Sequence, residues 1–143
     1  MRDASTVFIC LVILAAALDI LSRRIPNPVN FTLLAAGLIA SVLGWSGVGI
    51  VESVFGIGIS LAALFLPFAL NVYRGGDVKL CMGMAAWLGV EGALWTIALG
   101  VVAGGLLGIL MLLFRGRSRR MTVPMAVCFA AAGLWIQRFG VPF

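Results

Sequence analysis

Residues 78–114 run for 37 positions with only two charges, Lys79 and Glu91, and a soluble fold has no layer that can bury so long an apolar element. A helix crossing a bilayer takes roughly 20 apolar residues, so this stretch is too long for one ordinary crossing and fits two. The break is expected at Gly89-Val90-Glu91-Gly92, the only polar and glycine-rich interruption near its middle. Further apolar runs cover residues 6–21, 31–43, about 48–70 and about 122–135. With 63% hydrophobic and 10% charged residues, there is too little polar surface to cover a soluble globule. The expected fold is all-α: a polytopic membrane protein with six transmembrane helices, forming a single integral-membrane domain over residues 1–143.

The charges test this count. With six crossings and the N-terminus outside, Arg23, Arg24, Arg74, Lys79, Arg115, Arg117, Arg119 and Arg120 share one side, leaving Arg2 and Arg138 on the other. That asymmetry follows the rule that cytoplasmic loops carry the excess of Lys and Arg. A re-entrant segment at 78–89 would move the arginines at 115–120 across and remove it. The first apolar run could be a cleaved signal peptide ending at Ala15-Ala16-Ala17, but Arg2 is offset by Asp3 and the paired arginines follow the run. The segment is expected to stay as a span. Ile25-Pro26-Asn27-Pro28-Val29-Asn30 reads as a tight cytoplasmic loop, since its prolines lack backbone donors and push the preceding residues to extended geometry. Trp45, in the turn Gly44-Trp45-Ser46-Gly47, suits a membrane interface.

The net charge of +5 does not point to nucleic acid, because the basic residues sit in short groups between spans with no interleaved aromatics. Cys10, Cys81 and Cys128 are widely spaced in apolar sequence and there is no histidine. They read as small buried residues, and neither a metal site nor a disulfide is expected. Gly100, Gly104 and Gly108 have the four-residue spacing that lets membrane helices approach closely.

Against this background Arg74-Gly75-Gly76-Asp77-Val78-Lys79-Leu80 stands out. A carboxylate at the edge of a hydrocarbon layer is costly and glycines weaken a helix, so local stability does not explain the choice. Asp19 is its counterpart, near the cytoplasmic end of the first span and about 6 to 8 Å below the interface at helical rise. Both acids then sit at similar depth on one face. A pair of buried carboxylates tends to hold a single proton, so one acid can activate water while the other polarises a carbonyl. A simpler reading remains open: Asp19 and Arg23 are spaced for an i,i+4 ion pair, and Asp77 could cap the fourth helix.

Asp19, followed by Ile25-Pro26-Asn27, and Gly75-Gly76-Asp77-Val78-Lys79-Leu80 together resemble the two aspartate motifs of bacterial type IV prepilin peptidases, intramembrane aspartic proteases of the GxGD kind. The resemblance implies Asp19 and Asp77 as the catalytic pair, with Ile25, Pro26, Asn27, Gly75, Gly76 and Lys79 as supporting motif residues. It implies removal of the leader peptide of prepilins or pseudopilins at the cytoplasmic face of the inner membrane, without metal or organic cofactor. Longer members carry an insertion with cysteine pairs between the first two spans and also N-methylate the product. The short segment 23–30 resembles the peptidase-only type associated with tight-adherence (Flp) pili, for which methyl transfer is not expected. Arg74 stands where the GxGD pattern has glycine; its charge could pair with Asp77 or contact lipid headgroups.

Lys79 is placed either to snorkel to the interface or to orient the substrate. Asn27 and Asn71 read as loop and helix-end polar groups, and Glu52 and Glu91 fall toward the outer side. Two other functional classes fit an acid-bearing membrane bundle: a small proton-coupled transporter or channel, and a non-catalytic scaffold of a pilus or secretion machine. The first requires a polar path to both faces and the second tolerates loss of both aspartates.

Overall fold

Pro28, read above as part of a loop, instead lies in the first turn of a helix, where its missing N–H has no intrahelical partner to lose. The second helix therefore begins at Asn27, four residues before the expected start, with Pro26 as its extended N-cap. The computed structural model of the chain describes residues 2–22, 25–115 and 125–141. Among these, the elements are α1 (Arg2–Ser22), α2 (Asn27–Val42), α3 (Ile50–Ala69), α4 (Gly75–Arg115) and α5 (Met125–Phe139), with no strand. Three segments are long and apolar enough to cross a membrane: Ser5–Ser22, Ile50–Ala69 and Gly75–Met111. Helices α2 and α5 are apolar but shorter. Arg23, Arg24, Arg117, Arg119 and Arg120, which carry much of the expected charge asymmetry, lie outside the described residues, as does any Asp19–Arg23 ion pair.

α4 is not continuous. Gly89 has φ 70° and ψ −166°, which breaks the helix into arms 75–88 and 90–115 at the first residue of the expected interruption. Leaving the helical ladder there frees carbonyls of the preceding turn, and two serines serve one of them. The Ser41 and Ser53 hydroxyls lie 2.6 Å apart and donate toward the Ala86 carbonyl at 3.1 and 2.9 Å. This buried polar knot ties α2 and α3 to the break. Gly56 allows the approach, since a Cβ there would come within 2.9 Å of the Gly89 carbonyl.

The turns are closed by their own chemistry. After α2, Gly44 takes φ 70° while Gly44 N–H bonds Ser41 O and Trp45 N–H bonds Ala40 O, the paired pattern of a Schellman cap. After α3 the same pattern recurs with Asn71 at φ 57° and bonds to Phe68 O and Pro67 O, so Asn71 ends a helix as its position suggested.

α4 contacts all four other helices, α1 also packs on α5 and α2, and α2 on α3. Phe8, Leu33, Leu80, Met84 and Phe129 form the centre and are fully buried. The outer surface is apolar too, with Val7, Ile13, Phe55, Leu66 and Leu113 exposed, as expected for side chains facing lipid. Cys10 belongs to that exposed surface, which corrects its reading as a buried residue. In a uniformly apolar helix no polar face marks which side turns inward. Cys81 and Cys128 are buried.

The glycine spacing does what close packing requires. A Cβ at Gly100 would overlap the Phe129 ring, and one at Gly104 the Met125 thioether, both on α5. Gly100→Leu is expected to cost about 1 to 3 kcal/mol by overpacking this seam. The check is a lowered midpoint in thermal or SDS unfolding of the detergent-solubilised protein.

Candidate active site

α1 ends one turn beyond Asp19, and α4 begins two residues before Asp77. Both carboxylates are buried, 6% and 5% exposed. They lie close enough for the charge of Asp19 to act on Asp77, and the Arg74 guanidinium acts on both. The sequence motifs around them also touch. The Ile25 side chain packs over Gly76, where a Cβ would meet it at 3.5 Å. Asn30 Nδ2 donates to the Gly76 carbonyl at 3.4 Å, and Lys79 Nζ donates to Asn27 Oδ1 at 2.9 Å. The segment that opens α2 is thus stitched to the start of α4, beside Asp77, at three points.

Asp77 also does local work. It is the third residue of its helix, and its Oδ2 accepts from the Arg74 backbone N–H at 3.3 Å, the reach-back half of a capping box. The capping alternative is therefore partly right, at the third helical position and not at the cap itself. Asp19 in turn accepts from the backbone N–H of Ala126, in the first turn of α5, so it serves the open end of another helix. Neither role excludes chemistry, because each uses only part of a carboxylate's four lone-pair sites.

Gly75 and Gly76 have no positive φ, and a Cβ on either would find an ordinary 3.5 Å neighbour. Packing within the chain does not demand them, since Gly75 lies in ordinary contact with Phe68 and Gly76 with Ile25. Pro26 is exposed and acts by capping α2. Lys79 is exposed and held by Asn27. This single exposed hydrogen bond is worth at most about 1 kcal/mol, so Asn27→Ala is expected to leave unfolding of the protein nearly unchanged.

Sequence reasoning did not assign Asn30, Tyr73 and Cys128 to this neighbourhood. Asn30 is buried three residues beyond Asn27, the spacing of one helical face, a signal hidden by reading 25–30 as a loop. Tyr73, the chain's one tyrosine, lies in the α3–α4 turn and packs edge-on against Phe129 at 5.8 Å. Burial pushes its hydroxyl above the usual tyrosine range, and the charges of Cys81 and Asp77 add to this, so it stays a proton donor at neutral pH. Cys128, on α5, lies within electrostatic reach of both aspartates. Among the described residues no group of three or more His, Cys, Asp or Glu side chains is placed to hold a metal ion. Glu52 opens α3 beside Gly89, and Glu91 follows that break, so both sit at the far end of the first arm of α4, about 18 Å from Asp77 at helical rise.

The sequence pattern of the type IV leader peptidase family matches residues 6–109, which include Asp19 and Asp77. A prepilin leader peptidase/N-methyltransferase of Burkholderia pseudomallei is 30% identical over 143 aligned residues, covering 94% of this chain and 46% of that protein. Proteins of the same description from Xanthomonas campestris pv. campestris and Aeromonas hydrophila are 25% and 28% identical, over 91% and 83% of this chain and 47% and 43% of theirs. The chain spans less than half the length of these relatives. No solved structure matches it significantly. With the match extending over most of its length, the chain belongs to the type IV leader peptidase family.

Proposed function

We propose that this chain is an intramembrane aspartic endopeptidase that removes the leader peptide of type IV prepilins or pseudopilins, of the Flp type, at the cytoplasmic face of the bacterial inner membrane. The observation that carries the reading is the pairing of two buried, mutually interacting aspartates from α1 and α4, with their flanking motifs in contact. A water between the carboxyl groups would be activated by the ionised acid while the protonated one polarises the scissile carbonyl. The nearby guanidinium of Arg74 stabilises negative charge at the pair, and the absence of a side chain at Gly75 keeps the approach around the start of α4 open to the substrate chain.

The proposed topology has six crossings, N-terminus outside, with the two arms of α4 as the fourth and fifth. The break at Gly89 and the apolar outer surface support it. Hydrolysis without methyl transfer is proposed because only residues 23–26 separate α1 from α2. A proton-coupled transporter would want its acids strung across the bundle, whereas Glu52 and Glu91 are remote from the pair.

The test is co-expression with a Flp-type prepilin, followed by gel mobility and N-terminal sequencing. A shortened pilin with a new, unmethylated N-terminus is expected. Unprocessed precursor beside inserted wild-type protein would overturn the reading, and a methylated terminus would overturn its restriction to hydrolysis.

A further inference from the structure

A cleft of about 330 Å³ opens between α2, α3 and the first two turns of α4. Its walls are almost wholly apolar, formed by Phe31, Leu34, Leu61, Phe65, Val78 and Met82, with Gly75 and Lys79 also lining it. Phe31, Leu61 and Phe65 are 62%, 43% and 59% exposed, so the cleft faces sideways, where the bilayer lies in the proposed topology. Gly75, Val78, Lys79 and Met82 present one face of α4 to it, while Asp77 turns to the other face of the same first turn, so the cleft and the aspartates flank the start of α4.

One polar group interrupts these walls. Asn30 is 3% exposed and lines the cleft. Its Nδ2 is committed to the Gly76 carbonyl, which fixes the amide's orientation, while its buried Oδ1 has no hydrogen-bond partner. A buried acceptor left unpaired costs about 1 to 3 kcal/mol, so its natural occupant brings a donor. A lipid acyl chain brings none. The first turn of an apolar helix brings up to four N–H groups without intrahelical partners, on a body that suits these walls.

We infer that this cleft is the subsite for the first turn of the substrate's membrane-embedded apolar helix, with Asn30 Oδ1 accepting one of its unpaired backbone N–H groups. This deepens the peptidase reading and rests on it. The substrate enters sideways from the bilayer, and the stretch just before that turn passes over Gly75 and around the start of α4 to reach the aspartates.

A photo-crosslinking residue at position 61, in the Asp77→Asn chain co-expressed with a prepilin, tests this directly. The same residue at Val102, 59% exposed on the second arm of α4, is the control. A cross-link to the precursor from position 61 and none from 102 is expected. Cross-links to lipid alone, equal cross-links from both positions, or none from 61 would overturn the inference. In the active chain, Leu61→Trp, which fills the cleft, is expected to raise KM about tenfold with kcat unchanged, the mark of lost ground-state binding. An unchanged KM would count against the subsite. An inactive wild-type chain would refute the peptidase reading instead, and the cross-link would still decide whether the cleft takes the precursor.

Discussion

Asp77→Asn is expected to reduce leader removal by at least about 10³-fold while the protein still inserts, because the amide can neither take nor give the proton that peptide hydrolysis requires. The substitution keeps the size of the side chain and an oxygen able to accept from the Arg74 N–H, so the start of α4 is retained. Asp19→Asn should behave alike, since its amide oxygen can still accept from Ala126. Loss of activity at unchanged abundance and unfolding midpoint would therefore report chemistry and not capping. A scaffold would tolerate both substitutions, and a proton carrier would show no prepilin processing in any form. Cleavage rates against membrane-inserted protein levels are the measurement.

Gly89→Val is expected to destabilise the protein by about 3 kcal/mol or more. At φ 70° and ψ −166° the residue occupies a region open almost only to glycine, where other side chains carry strain of about 1 to 3 kcal/mol. A Cβ would also come within 2.9 Å of Val48 Cγ1, and β-branching leaves few rotamers with which to avoid it. The buried contact of Ser41 and Ser53 with Ala86 depends on the same break and would be disturbed with it. A large drop in SDS or thermal unfolding midpoint is the expected result; a wild-type midpoint would mean that the two arms of α4 join differently.

These cases show which parts of the structure could be read from residues alone. The nearness of Asp19 and Asp77 was legible because charges in a membrane protein are few and their sidedness is constrained. Gly89 was legible because a 37-residue apolar run must break somewhere and offers one polar interruption. The start of α2 was misread because proline both breaks helices and begins them, and only the position of the helix separates the two roles. That error also hid Asn30, whose face is defined only once the helix begins at Asn27. The placing of Cys128 near both aspartates, and of Cys10 on the outside, depends on how each helix is rotated about its axis. In helices apolar on every side, hydrophobic periodicity carries little information about that rotation.

The central claim is that the two aspartates act as one catalytic unit, and it is tested most directly by comparing Asp19→Asn, Asp77→Asn and the double variant against one prepilin in the same detergent. The account predicts that both single variants fall to the same residual rate and that the double variant falls no further. Substantial cleavage by either single variant, or a double variant well below both, would show that the aspartates act independently and would contradict it.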